Sequence, residues 1–210
     1  MNNEIEKSFY SEISTILFSA RQKAYTAINH SMIEAYWKIG RRIVEEEQNG
    51  KDRAIYGAFI IKELAKHLTN EFGKGFSIAN LANFRQFYLT IPSEEKIYAL
   101  RRELSWTHLR LIMRVENENA KEYYMRETSE QNWSTRQLER NINSLYYERL
   151  LSTKVKGKEP SKEIQFEKQS TSDFIKDPYI LEFLDLPEDA SFSEKEMETA
   201  IISKLQVKYS

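Results

Sequence analysis

Two hundred and ten residues, 40% hydrophobic, 30% charged and with a net charge of −1, have the balance of a soluble globular chain rather than a membrane-spanning or fully disordered one. No apolar run is long enough to cross a bilayer, and Met1-Asn2-Asn3-Glu4 lacks the charged-then-apolar layout of a secretion signal, so a cytoplasmic protein is expected. The absence of cysteine excludes disulfides, thiolate zinc sites, iron–sulfur clusters and cysteine nucleophiles, and the three histidines sit at spacings that no metal motif uses.

Six glycines and four prolines fall between periodic stretches rather than within them, which favours helices over strands. Ile5, Phe9, Ile13, Ile16, Leu17, Ala20, Ala24 and Ile28 keep the spacing of one buried helix face, and the stripe resumes at Met32, Tyr36, Trp37, Ile43 and Val44. The first fifty residues are therefore expected to be one long helix or two nearly collinear ones, with a kink at Asn29-His30-Ser31 and a stop at Asn49-Gly50. A helix from Ile55 to Phe72 is expected to bury Phe59, Ile60, Leu64, Leu68 and Phe72 and to end at Gly73. Ser77 then caps a helix that carries Ile78, Leu81, Phe84 and Tyr88 and closes at Pro92. Ser93 caps a short helix through Arg102, Ser105 opens another, a further helix spans about 118–131, and Ser134 opens one that runs to about Leu151. Phe76-Ser77, Leu104-Ser105 and Trp133-Ser134 share one design, an apolar staple residue followed by a hydroxyl cap, without making the chain a repeat protein.

Apolar periodicity lapses from Ser152 to Thr171, which reads as a charged linker. Two short helical signals follow, Asp177-Pro178 ahead of Tyr179-Ile180-Leu181, and the capping box Ser193-x-x-Glu196 ahead of Met197, Ile201 and Leu205. Their apolar faces predict marginal order or docking on the preceding helices.

Charge is unevenly placed: residues 51–114 hold eleven Lys or Arg against six Asp or Glu, whereas the last sixty residues are acidic. Within the basic region, Ile55 to Ile91 has the outline of a helix-turn-helix. Asn80, Asn83 and Gln86 lie away from Leu81, Phe84 and Tyr88, and amide side chains of this kind pair with adenine in a major groove. Lys74 and the N–H groups near Ser77 are suited to a phosphate. By geometry alone the same residues more readily describe an αα-hairpin with a polar solvent face, the far commoner motif. Arg110 and Arg114, one turn apart, either grip a phosphate backbone or pair with Glu103, Glu116 and Glu118. Glu45-Glu46-Glu47 point in three directions and cannot converge on one ion, and Trp37, Trp106, Trp133 and His108 read as core residues. No nucleotide-binding loop or nucleophile elbow is present, and no small-molecule substrate is implied.

Four ordered motifs carry a resemblance: Asn29-x-x-Met32-Ile33-x-x-Tyr36-Trp37-x-Ile39-Gly40; Gly73-Lys74-Gly75-Phe76-Ser77-x3-Leu81-x2-Phe84-Arg85-x2-Tyr88; Leu104-Ser105-Trp106-Thr107-His108; and Trp133-Ser134-x3-Leu138-Glu139-Arg140. They resemble the YhcG-like bacterial proteins, in which a helical N-terminal domain of unknown function precedes a nuclease domain of the PD-(D/E)XK class. The resemblance continues through Lys176-Asp177-Pro178-Tyr179 and Glu196-Met197-Glu198-x-Ala200-Ile201, which is similar to the first helix of that nuclease. It implies an all-α domain over 1–152, a linker over 153–171, and the start of a nuclease domain over 172–210. Glu198 is then the counterpart of the first-helix glutamate. The aspartate and Glu-x-Lys triplet that would follow this helix and complete a metal site do not occur between Glu198 and Ser210, and one carboxylate cannot hold a hydrolytic ion. This chain alone is accordingly expected to be non-catalytic and free of cofactors, with magnesium or a similar divalent metal expected for the full-length nuclease only. The function implied is DNA binding or positioning through Lys74, Ser77, Asn80, Asn83, Arg85, Gln86, Arg110 and Arg114. The alternative is a protein–protein module that forms homo-oligomers or docks a separate nuclease chain.

Overall fold

The computed structural model describes residues 2–49, 53–101, 103–155 and 178–183, and the regular structure among them is entirely helical. The linker from 156 to 171, the second C-terminal capping box and Glu198 lie outside the described residues.

The first helix, α1 (Asn2–Asn49), is unbroken, without the expected kink at Asn29-His30-Ser31. Asn29 is buried and its Nδ2 donates to the Leu104 carbonyl at 3.1 Å, so the side chain bonds a distant segment rather than its own helix. Forty-eight residues make a rod of about 72 Å, far longer than the rest of the molecule can cover. Ile28, Met32, Ile33, Tyr36, Trp37, Ile43 and Val44 are buried, but residues 8–21 are exposed throughout. Phe9, Ile13, Ile16 and Leu17, expected on a buried face, thus lie in solvent.

The second helix, α2 (Arg53–Phe72), packs against α1 through Ala65 and the half-buried Leu64 and Leu68. Phe59 and Phe72, expected inside, are 60% and 48% exposed, because α2 lies at the margin of the core. Gly73 ends it with φ 89° and ψ −163°, a conformation that a Cβ would strain. A 3-10 turn, Lys74–Phe76, leads to α3 (Ile78–Thr90), whose first free N–H groups Ser77 caps by accepting from the Asn80 amide.

The centre of the fold is the crossing of α1 and α3. A Cβ built on Gly40 would stand 2.0 Å from the Phe84 carbonyl oxygen, so only a glycine lets the two backbones approach this closely. The Tyr36 and Phe84 rings stack beside it, 3.9 Å apart at 16°. Trp106 meets Tyr36, Phe84 and Phe87 edge-on, with centroids 5.0, 5.5 and 5.2 Å away. Trp37 donates Nε1–H to the Ile91 carbonyl at 2.7 Å just ahead of Pro92, which anchors the end of α3. Trp37→Phe is expected to cost about 1–2 kcal/mol, since the ring is kept but a buried carbonyl loses its donor. Urea unfolding of the variant measures this, and an unchanged midpoint would remove the anchor role.

The next four helices start on side-chain caps. Ser93 opens α4 (Glu94–Leu100), Ser105 opens α5 (Trp106–Met113), Asn117 opens α6 (Glu118–Gln131) and Ser134 opens α7 (Thr135–Asn143). The helix expected from Ser134 to Leu151 is interrupted: α8 (Tyr146–Val155) begins after Leu145, which takes φ 51°. The Tyr124 hydroxyl explains the break, since it donates to the Asn141 carbonyl and accepts from the Tyr147 amide, both at 3.2 Å. One buried phenol thereby satisfies the end of α7 and the start of α8. The helix α8 also extends to Val155, three residues into the expected linker. A ninth helix, α9 (Pro178–Phe183), docks on this body, with Ile180 buried and Phe183 edge-on to Tyr36 at 5.9 Å.

Candidate nucleic-acid surface

Lys74 is exposed in the turn between α2 and α3, next to the cap residue Ser77. Gln86 is exposed on α3, with its Nε2 donating 3.3 Å to Thr90 Oγ1. The outward side of α3 differs from the expected row of amides: its exposed residues are Ile78, Ala79, Ala82, Gln86 and Leu89. Asn80 and Asn83 are half-buried, and Asn80 Nδ2 donates to the Gly75 carbonyl at 3.0 Å, which braces the turn. Arg85 Nε donates to both carboxylate oxygens of Glu47, at 2.9 and 2.7 Å, tying α3 to the end of α1. Lys74 and Gln86 therefore face solvent, whereas Ser77, Asn80 and Arg85 shape the surface that carries them.

Arg110 and Arg114 take different environments. Arg110 is half-buried, with its guanidinium carbon 4.8 Å from the centroid of the Tyr179 ring, so it helps to hold α9. Arg114 is exposed at the end of α5. Lys62 and Lys66, one turn apart on α2, are exposed as well. The sequence reading counted their charge without assigning them to a site, although their i, i+4 spacing was the available signal.

The acidic run behaves as its helical geometry requires. Glu45 accepts from Arg41 and Arg42 at 2.8 and 2.6 Å, and these two guanidinium groups hold its carboxyl below the usual range. Glu46 lies 3.9 Å from Arg42, and Glu47 turns to Arg85. Among the described residues, no group of three His, Asp or Glu side chains is placed to hold a metal ion.

His108 is built into the core. Its Nδ1 accepts from the Ser105 amide at 3.1 Å and lies 2.9 Å from Ser105 Oγ, while Nε2–H donates to the Trp133 carbonyl at 3.0 Å. One imidazole thus joins the start of α5 to the start of α7. Burial pushes its pKa down to about 4, against the opposing pull of the Trp133 carbonyl. A neutral ring with both nitrogens committed is a structural joint rather than a proton carrier.

Residues 12–149 match the DUF1016 N-terminal domain family. Over 222 aligned positions the chain is 35% identical to the Escherichia coli protein named "Putative nuclease YhcG", a match that covers 89% of this chain and 57% of that protein. The chain thus spans little more than half the length of this curated relative. No solved structure matches it. No helix among the described residues is long and apolar enough to cross a membrane. The all-helical body, its four motifs and both comparisons agree that the chain belongs to the YhcG-like family, through its DUF1016 N-terminal domain.

Proposed function

We propose that this domain binds and positions DNA for the nuclease part of a YhcG-like protein. The observation that carries the reading is the set of exposed polar groups Lys62, Lys66, Lys74 and Gln86, on α2, the turn and α3. Lysine ammonium groups neutralise phosphates and release counterions, and the Gln86 amide can meet a base edge or a backbone oxygen. In this reading α2 and α3 act as a helix-turn-helix-like pair, with Asn80 and Arg85 bracing the turn and the presented helix. Hydrolysis, the divalent metal and the use of Glu198 as a first-helix carboxylate belong to the whole protein. The name of the relative, a nuclease, supports a nucleic-acid partner by analogy.

Fluorescence anisotropy with a labelled duplex at low and moderate salt tests this. Affinity is expected to fall steeply with salt, and Lys62→Ala/Lys66→Ala/Lys74→Ala is expected to weaken binding at least tenfold and to lower the salt slope by about 2–3. All three side chains are exposed, so the variant folds. No binding at low salt, or binding indifferent to the triple substitution, would remove this surface from the DNA contact.

A further inference from the structure

Residues 8–21 of α1 stand clear of the body. Every residue from 8 to 21 is exposed, and Phe9, Tyr10, Ile13, Ile16, Leu17 and Phe18 are each 42–64% exposed. A lone helix of this length is marginal in water, and six large apolar side chains on it amount to a surface meant for contact. At about 100° per residue, Phe9, Ile13, Ile16, Leu17, Ala20 and Ala24 form one stripe. The same rotation places that stripe roughly half a turn from Met32, Tyr36, Gly40 and Ile43, the side of α1 that meets the core. The arm therefore presents its apolar side away from its own domain.

We propose that this stripe is covered by the same stripe of a second copy of the chain, with the two arms antiparallel. Size is the first argument. The stripe is bulky at its N-terminal end, with Phe9, Ile13 and Ile16, and small at the other, with Ala20 and Ala24. An antiparallel pair centred on Ile16 and Leu17 seats bulky residues on small ones, whereas a parallel pair would set Phe9 against Phe9 and leave a gap at Ala24. Charge is the second argument. Glu4, Glu6 and Glu12 outnumber Lys7 at one end, while Arg21 and Lys23 make the other end basic. Antiparallel arms bring Glu12 level with Arg21 and Lys23 of the second copy, and parallel arms stack like on like. The stripe's four large side chains and Tyr10 on its flank, at roughly 100 Å² each, would bury about 1,000 Å² over the pair, the lower bound for a specific contact. The inference does not depend on the DNA reading.

The mass of the complete chain in solution, measured by light scattering across concentrations up to about 100 μM, tests the dimer. Wild type is expected at twice the chain mass of 24.9 kDa, and Ile16→Glu/Leu17→Glu at 24.9 kDa with its melting temperature retained. Glu12→Lys should weaken the dimer, and adding Arg21→Glu/Lys23→Glu should restore it. Because the chain has no cysteine, direction can be read by cross-linking. Phe9→Cys mixed with Ala24→Cys is expected to form the mixed disulfide in preference to either self-linked pair. A monomer at every concentration, a dimer indifferent to Ile16→Glu/Leu17→Glu, or preferential Cys-to-Cys linkage between two Phe9→Cys copies would each overturn the proposal. The salt-dependent DNA assay on the monomeric variant separates this failure from that of the DNA surface.

Discussion

Gly40→Ala is expected to destabilise the protein by about 3 kcal/mol, lowering the melting temperature by roughly 6–12 °C. In the middle of an exposed helix the same change would stabilise by about 0.5–1 kcal/mol, so the context reverses the sign. The added methyl would lie 2.0 Å from the Phe84 carbonyl oxygen and 2.6 Å from its carbon, both backbone atoms of α3 that cannot rotate aside. Relief requires α1 and α3 to separate, which unstacks Tyr36 from Phe84 and loosens Trp106 against both. Gly57→Ala is the matched control. There the nearest atom is Glu47 Oε1 at 2.8 Å, on a side chain that can shift together with its Arg85 partner rather than on backbone, and a loss within about 1 kcal/mol is expected. Thermal unfolding of the two variants measures the contrast. Equal losses would mean that the α1–α3 crossing does not depend on glycine.

Acid is expected to weaken the fold well before its carboxylates titrate, through His108. Above pH 6.5 the imidazole is neutral in both folded and unfolded chains and contributes no pH dependence. As the pH falls from 6.5 towards about 4, the unfolded chain takes up a proton that the folded one refuses. Stability then drops by about 1.4 kcal/mol per pH unit, some 3 kcal/mol over the whole interval. Geometry gives the same sign, because a protonated Nδ1 would point a donor at the Ser105 amide donor. Glu34, which Lys38 and then Arg101 hold below its ordinary range, and Glu45, held down by Arg41 and Arg42, lose their contributions only below pH 4.5. Comparing the urea midpoints of wild type and His108→Gln between pH 7 and 4.5 therefore isolates the His108 component, which the variant should lack while being less stable at neutral pH. A wild-type midpoint unchanged from pH 7 to pH 5 would disprove the account.

What could be read from the sequence was whatever is decided within a few residues. Ser77, Ser93, Ser105 and Ser134 each cap a helix as expected, because a hydroxyl bonding an amide three residues on needs no distant partner. Pro92 and Gly73 were legible as stops for the same reason. The errors came from contacts between remote segments. Asn29 reads as a kink until Leu104 supplies its acceptor, and the break at Leu145, where neither Gly nor Pro stands, is made by Tyr124, twenty-one positions earlier. Phe9 and Phe59 show that periodicity reveals an apolar face but not whether anything covers it. At the candidate surface, Lys74 and Gln86 emerged exposed as the pattern suggested. Arg85 was drawn away by Glu47, a partner thirty-eight residues distant that no local motif announces.

The burial of the tryptophans has an optical consequence. Trp37, Trp106 and Trp133 are 2%, 1% and 4% exposed, and they are the complete set in the chain. Native emission should therefore be blue-shifted and resistant to acrylamide quenching, with a large red shift on unfolding. A duplex bound at Lys74 or a second copy laid along Ile16 touches none of the three indoles, so such binding should leave the spectrum unchanged. A ligand that does alter it must have moved α1, α5 or the start of α7, and the unlabelled protein thereby distinguishes surface docking from internal rearrangement.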